Sequence, residues 1–476
     1  MAPIPLAQRT ARSDRLNPSA PEPAVSEPVP AELERIDDLL VRLLAQVTPL
    51  PAERIAVSDE TAASLIGRTL AEPLCAAVDH PPFDVSAMDG WVTTLADAAE
   101  ASSGAPRRLT CVGDAAAGHA LSATPLRDGE CQRIATGAPI PQGGTTVIPV
   151  ERSSIADPDR GGVLLQRVPA QLPAHVWVSG GVKVGAHIRR RGEDQRVGSL
   201  LAEAGAAIDA GLLAVIFSSG AADLSLVRRP RVALLTTGDE LLNNAADGGI
   251  RDSNGPALAA LIAAEGGEVV ARAHVGDTAE ATGAVVAALA AQADLLVTTG
   301  GVSVGAHDHV GAALATHFEL VVWRLAIQPG KPLLLGRRRA GGDGALWAIG
   351  LPGNPVSAFV VGVEVALPLL RALAGRPARG LRAVGLLEER VESPLGRRSF
   401  LRLAALRDED GAPLHDPSGR VRVRLAGEQG SHQVSVLART DYLGVVPEEV
   451  GEYAAGEAIE LHPLPRASRR ITAPNG

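Results

Sequence analysis

The chain has 476 residues, 46% of them hydrophobic, a formal net charge of −9, and only four Trp, two Tyr and five Phe. That length exceeds one ordinary core and predicts two to four domains, packed with Ala, Val, Leu and Ile. The acidic balance gives no reason to expect a general nucleic-acid binder, whose electrostatic footprint would be basic.

Residues 1–30 hold seven prolines among Ser, Glu and Ala and read as a disordered lead-in. They carry three arginines but no apolar run, so no signal peptide is expected. Cys75, Cys111 and Cys131 have no CxxC spacing and offer neither a zinc site nor a disulfide framework. The expectation is a cytoplasmic protein in a reducing compartment.

An apolar stripe (Ile36, Leu39, Leu40, Leu43, Leu44, Val47) predicts a helix from Glu32 to about Thr48, stopped by Pro49. A second helix is expected from Ser58 to Leu70. Residues 73–155 are rich in Gly, Pro and short β-prone runs and suggest a small β domain. Short strands continue through 163–200, interrupted by HIRRRGEDQRVG. Glu203–Ala210 reads as a helix, followed by a strand LLAVIFSS.

From 230 to 376 apolar runs alternate with Ala/Leu-rich segments, the pattern of an α/β domain with a mostly parallel sheet. Strands are predicted over 232–237, 268–275, 294–299, 319–327, 332–337 and 345–350. Helices are predicted over about 256–265, 278–292, 309–317 and 355–374. The apolar stretch 356–370 contains Glu364 and Pro368 and is too short to span a bilayer, so no membrane association is expected. Gly375-Arg376-Pro377 closes the domain. Residues 381–464 read as a compact all-β domain with a loose tail.

Three strand-ends in the α/β domain finish in polar turns, and ligands of such sheets bind outside the carboxyl ends of the strands. Gly300, Gly301, Ser303 and Gly305 offer unobstructed backbone amides suited to an oxyanion, although a tight structural turn would look the same. Neither a GxxxxGK[ST] loop nor a GxGxxG fingerprint is present, which removes the usual support for nucleotide hydrolysis or nicotinamide binding. Asn354-Pro355, preceded by Gly350 and Gly353, opens the last helix of the domain, and such a helix start is an anion site or simply a well-capped helix.

Asp239 and Asp308 each follow a strand-end turn. Beside a phosphate, two such carboxylates would hold Mg²⁺; a capping role is the plainer alternative for Asp239. Lys183 and Lys331 are the only lysines among 45 basic residues. The Pro329-Gly330-Lys331-Pro332 turn could aim a compact ammonium at a crowded phosphate site, where a planar guanidinium would not fit. Outside this domain, Asp84, Asp89, Glu193 and Asp194 sit in Gly-flanked segments that spacing alone would assign to turns.

The segments PPFDVSAMDGW, RIATGAPIPQGG, IRRRGEDQRVG, TTGDEL, IRDSN, TTGGVSVGAHD, IQPGKP, GLPGNPVSA and GEQGSH, in that order, resemble the molybdopterin molybdenumtransferase family, known as MoeA, which includes the gephyrin E domain. The resemblance implies a multidomain α/β plus β fold. Its parts are a discontinuous elongated domain (31–80 and 156–229), an inserted small β domain (81–155), a molybdopterin-binding α/β domain (230–376) and a C-terminal β-barrel domain (377–476). It also implies a homodimer with sites between the α/β domain of one subunit and N-terminal residues of the other. The adenylyltransferase that makes the substrate and the apoproteins of molybdoenzymes are implied partners.

The implied reaction joins adenylylated molybdopterin and molybdate, with Mg²⁺, to give molybdenum cofactor and AMP. By the same resemblance Asp239 and Asp308 are the metal and pyrophosphate-side acids, and Lys331 belongs to the Pro-Gly-Lys-Pro turn. Asp84, Ser86, Thr136 and Glu193 match site positions in the other domains. Gly330, Gly353, Asn354, Pro355 and Ser357 fall in the ligand-binding turns.

Three positions depart from the family pattern. Val85 stands where Asn is usual, Trp91 where Tyr is usual, and Gln328 where a second lysine is common. Arg324 or Arg337 could restore the charge missing at Gln328. Two rival readings are a non-catalytic carrier of the pterin and a molybdopterin adenylyltransferase. The latter would have no use for the PPFDVSAMDG and RGED segments.

Overall fold

A computed structural model describes residues 33–94, 96–97, 106–118, 125–179, 183, 185–241, 249–276, 278–302, 309–339 and 346–465. The expected disordered lead-in and loose tail lie outside the described residues. Two compact units are formed, Pro49–Arg228 and Met1–Thr48 with Arg229–Gly476.

In the second of these units a six-stranded sheet runs in the order Glu268–Val275, Arg231–Thr237, Leu295–Thr299, Trp347–Leu351, Pro332–Arg338, Phe318–Arg324. The first four strands are parallel and the last two antiparallel. Leu295–Thr299 and Trp347–Leu351 are buried throughout, which explains their unbroken apolar runs. From Arg231–Thr237 the chain passes through helix Asn254–Ala264 to the edge strand. It then returns through helix Ala279–Ala290 to the other side of its starting strand. That reversal of winding opens a crevice at the carboxyl ends of Arg231–Thr237 and Leu295–Thr299. Val286, Leu289 and Leu314 pack on Ala233, Leu235 and Leu296 to form the core on one side.

The last helix of this domain spans Pro355–Leu373, longer than the 356–370 stretch, with a π-helical segment at Gly362–Ala366. Its 19 residues are long and apolar enough to cross a bilayer, yet 83% of its apolar window is buried inside the protein, as befits a core helix. After it comes a closed barrel of Arg398–Ala405, Val421–Leu425, Ala383–Leu387, Ala458–Pro463 and Tyr442–Val446, the last strand pairing back on the first. Leu387, Leu403, Val423, Val446 and Leu461 fill it. Closure leaves no unpaired sheet edge. Ile327–Gln328 pairs in parallel with Arg398 and Ser399, joining the barrel to the sheet domain immediately before Pro329.

The Pro49–Arg228 unit contains a six-stranded sheet in the order Thr146–Pro149, Gly90–Thr93, Glu130–Ile134, Arg107–Ala115, His175–Val178, Ser153–Ser154. His175–Val178 thus belongs to the same sheet although it lies past residue 155. Trp91 is fully buried and donates from Nε1 to Ser153 Oγ at 2.8 Å, so the indole at this position has its own partner. A smaller sheet of Ala52–Ala56, Asp223–Val227 and Thr69–Leu70 packs with two helices around Leu65, Leu70, Ile216 and Leu226.

Both of those helices differ from expectation. The helix capped by Ser58 ends at Leu65, because the chain turns at Gly67 (φ +73°) and enters a strand at Thr69. The LLAVIFSS segment is helical: Ala210–Ser218 forms a helix whose start is capped by Asp209, accepting from Leu212 N at 2.8 Å. Of the expected helix Glu203–Ala210, only Ala210 is helical; residues 203–209 precede it as turns and a short bridge.

Candidate functional site

Register decides which turns meet. Thr236 pairs with Thr299, and Thr299 with Leu351, so three strands end side by side. Beyond them lie Gly238-Asp239, Gly300-Gly301 and Gly353-Asn354-Pro355. Gly300 N donates to Leu351 O at 3.2 Å. A Cβ on Gly300 (φ +81°) would sit 2.6 Å from Thr237 Oγ1, and one on Gly353 would sit 3.7 Å from Gly300 Cα. Glycine is therefore required at 300, whereas at 353 a methyl would make only an ordinary contact.

Asp239 lies beside the end of the edge strand: a Cβ on Gly276 would fall 2.6 Å from its Oδ1. The carboxylate can pack this close to the backbone because residue 276 has no side chain. Mg²⁺ needs few protein ligands when it also binds phosphate oxygens, so a single carboxylate at this edge can be one of them. Ser303, Gly305 and Asp308 lie outside the described residues, so Asp239 is the member of the proposed acid pair that has a position. Among the described residues no group of three or more His, Cys, Asp or Glu side chains is placed to hold a metal.

The Lys331 turn reaches the same sheet edge. Leu334 pairs antiparallel with Gly350, which sets the start of Pro332–Arg338 beside the end of Trp347–Leu351. A Cβ on Gly330 would collide with Val361 Cγ2 and lie 3.6 Å from Ser357 O, so the turn packs on the helix that begins at Pro355. Lys331 O accepts from Leu325 N at 2.8 Å and fixes its other side. Register also separates the two arginines that could replace a charge at Gln328. Arg324 pairs with Pro332 at this edge, whereas Arg337 pairs with Trp347 at the opposite one and stands 6.0 Å from that ring. Arg337 is thereby removed as a candidate.

The helix start at Asn354 is not the simple cap the sequence suggested. Its side chain makes no capping bond; Nδ2 donates to Ser431 Oγ at 3.3 Å, and Val356 N donates to Ser431 O at 3.1 Å. One amide of the expected anion site is therefore already engaged by the barrel. The loop carrying Ser431 is held in turn by Arg402, which is 2% exposed. Arg402 N donates to Gln429 Oε1 at 2.9 Å, Nη1 to Phe400 O at 2.9 Å, and Nη2 to Gln429 O. Burial brings the Arg402 guanidinium down to about 10, and no carboxylate pairs with it among the described residues.

Sequence reasoning assigned no role to Arg402, Ser431 or Asn254. Ser431 and Asn254 fall inside the quoted GEQGSH and IRDSN segments, which were the available signal. Asn254 Nδ2 donates to Gly353 O at 2.8 Å, and its Oδ1 is buried without a partner among the described residues. A cleft of about 440 Å³ opens beside it, lined by Thr236, Arg251, Asp252, Arg272 and His274.

In the Pro49–Arg228 unit, Val85–Ser86 pairs with Ile188–Arg189 and gathers Asp84, Ser86, Thr136 and Glu193 around one junction. Asp84 accepts from Arg191 N at 2.8 Å and Arg190 Nη1 at 2.6 Å, while Glu193 accepts from Arg190 N at 2.7 Å. Partial burial pushes the Asp84 carboxyl upward, but those two donors together outweigh it and hold it below the usual carboxylate range. Thr136 donates from N and Oγ1 to Asp89 Oδ1 at 2.6 and 2.9 Å. Ser86 is fully buried and gives its hydroxyl to Met88 O at 2.6 Å, a use internal to the turn.

Comparison with known proteins places the chain in a family. Residues 34–220 match the MoeA N-terminal region (domain I and II), 233–372 a probable molybdopterin binding domain, and 385–464 the MoeA C-terminal region (domain IV). The molybdopterin molybdenumtransferase of Haemophilus influenzae is 30% identical over 439 residues, covering 90% of this chain and 98% of the relative. Molybdopterin molybdenumtransferase 2 of Mycobacterium tuberculosis is 34% identical over 414 residues, covering 84% and 93%. The crystal structure of a molybdopterin biosynthesis MoeA protein from Pyrococcus horikoshii superposes with a TM-score of 0.70 at 25% identity, over 92% of this chain and 100% of that one. The chain belongs to the MoeA family of molybdopterin molybdenumtransferases, proteins of molybdenum cofactor biosynthesis.

Proposed function

We propose that this protein is a molybdopterin molybdotransferase, which inserts molybdate into adenylylated molybdopterin and releases AMP in a Mg²⁺-dependent reaction. The observation that carries the reading is the meeting of Asp239, Gly300, Gly353 and the Lys331 turn at one edge of a mixed sheet, where its parallel strands end. Cleaving a phosphoanhydride requires neutralising charge on its oxygens. Mg²⁺, held by Asp239 and Asp308, would supply part of that neutralisation. The Lys331 ammonium adds a point charge, and the Gly301 amide, in a turn free of side-chain obstruction, orients an oxyanion, the Gly300 amide being already bonded to Leu351 O. Asp84 and Glu193 are the further acids of the reading, with Ser86 and Thr136 as binding positions.

Gln328 is exposed and uncharged next to Lys331, which favours a second reading: a carrier that binds the pterin without turnover. Incubation with adenylylated molybdopterin, Mg²⁺ and molybdate separates the two. Molybdate-dependent AMP release supports the enzyme, and retention of the intact ligand supports the carrier. The same reading takes the protein as a cytoplasmic homodimer, an assembly that sedimentation of the purified protein tests.

A further inference from the structure

Cys111 and Cys131 are remote in sequence pattern but adjacent in the small β sheet. Arg107–Ala115 and Glu130–Ile134 are parallel neighbours with Cys111 opposite Cys131, and the two sulfurs lie 3.6 Å apart. Both are free thiols; Cys131 is fully buried beside Trp91 and Ile148, and Cys111 is half-buried. Adjacent strands lie about 4.8 Å apart, inside the Cα range of a disulfide, and with the sulfurs already 3.6 Å apart a small side-chain rotation closes the bond.

We propose that Cys111 and Cys131 form an oxidisable dithiol, a modification site whose co-substrate is a hydroperoxide such as hydrogen peroxide. Cys111 is the attacking sulfur because it is the one solvent reaches. Its thiolate displaces hydroxide from the peroxide O–O bond and becomes a sulfenic acid; the hydroxide takes a proton and leaves as water. The Cys131 sulfur then attacks Cys111 Sγ, its thiol proton joins the departing hydroxide, and a second water leaves. Two thiols lose two electrons and the peroxide is reduced to two waters.

The local chemistry suits that division of labour. The hydrogen bond from the Cys131 S–H, with Arg133 nearby, lowers Cys111, while the same bond and burial raise Cys131. The strand carrying Cys131 runs on to Thr136, so the disulfide would tie that strand to its neighbour. Cysteine pairs of this kind in reducing compartments act as transient sensors rather than permanent staples.

The test uses the full-length protein carrying Cys75→Ser, which removes the exposed third thiol. Reduced protein is treated with equimolar hydrogen peroxide, alkylated, digested and mapped by mass spectrometry. The expected result is loss of alkylation at both sites and one linked Cys111–Cys131 peptide pair, two hydrogens lighter than its parts and separated by dithiothreitol. A Cys131→Ser version should stop at a dimedone-reactive sulfenic acid on Cys111. Full alkylation of both thiols after peroxide, or a sulfinic acid on Cys111 with Cys131 still free, overturns the proposal.

Discussion

The side-chain amide of Asn254 donates to the Gly353 carbonyl at 2.8 Å, so the first helix of the sheet domain holds the turn that opens its last helix. Two segments a hundred residues apart thereby share one position at the crevice. Removing one such bond costs about 1 kcal/mol. Asn254→Ala should lower the thermal midpoint by only a few degrees. If the turn must be held for binding, the same variant should raise KM for the adenylylated pterin by about tenfold, the equivalent of ~1.4 kcal/mol. Steady-state AMP release checks this; an unchanged KM would remove Asn254 from the site.

Gly300→Ala should be far more damaging than its size suggests. The residue has φ +81°, and the added methyl would meet Thr237 Oγ1 at 2.6 Å and Thr237 O at 3.0 Å. The backbone strain alone is worth about 1–3 kcal/mol. Urea unfolding should show that loss, and a second change, Thr237→Ala, should recover only the part due to the hydroxyl.

Arg402→Met separates stability from function. A buried guanidinium without a carboxylate partner costs stability at neutral pH, since its folded value of about 10 lies below that of a free arginine. The methionine variant should therefore keep its unfolding free energy within about 1 kcal/mol of the original, despite losing bonds to Phe400 O and Gln429 O. Turnover should fall, because the loop that binds Asn354 and Val356 through Ser431 loses the guanidinium bond to Gln429 O and keeps only the backbone bonds at residue 402. Arg402→Lys should not rescue it, since one ammonium cannot reproduce the planar fork.

Asp84 gives a pH signature. Its carboxyl is held below the usual range in the folded protein, so its contribution to stability is present above the unfolded value of about 3.9 and disappears as pH falls through the folded one. The difference in urea midpoint between the protein and Asp84→Asn should be largest near neutrality and close in acid. A gap that persists at the lowest pH would assign the effect to something other than the Arg190 and Arg191 contacts.

Much of the sheet domain was readable because its central strands are apolar runs ending in polar, glycine-bearing turns and even its exposed edge strand stops at a glycine. Arg231–Thr237, Glu268–Val275 and Leu295–Thr299 stand within a residue of their expected limits. Ala210–Ser218 was misread because it is apolar all round, and such a run has no periodicity to separate helix from strand. Asp209 as its cap was the overlooked signal. The different positions of Arg324 and Arg337 follow from strand register, which no local pattern reveals. Arg402 was hidden by composition: in a chain with 45 basic residues, nearly all arginine, one buried guanidinium has no distinguishing mark.

The account stands or falls on a single measurement: AMP formed from adenylylated molybdopterin by the purified protein, with and without molybdate and Mg²⁺, compared with Asp239→Asn and Asp308→Asn. Release that needs both additions, and is lost in either variant while the thermal midpoint holds, is the predicted result. Original rates in Asp239→Asn, or AMP release indifferent to molybdate, would contradict the assignment of the sheet-edge crevice as the site of metal insertion.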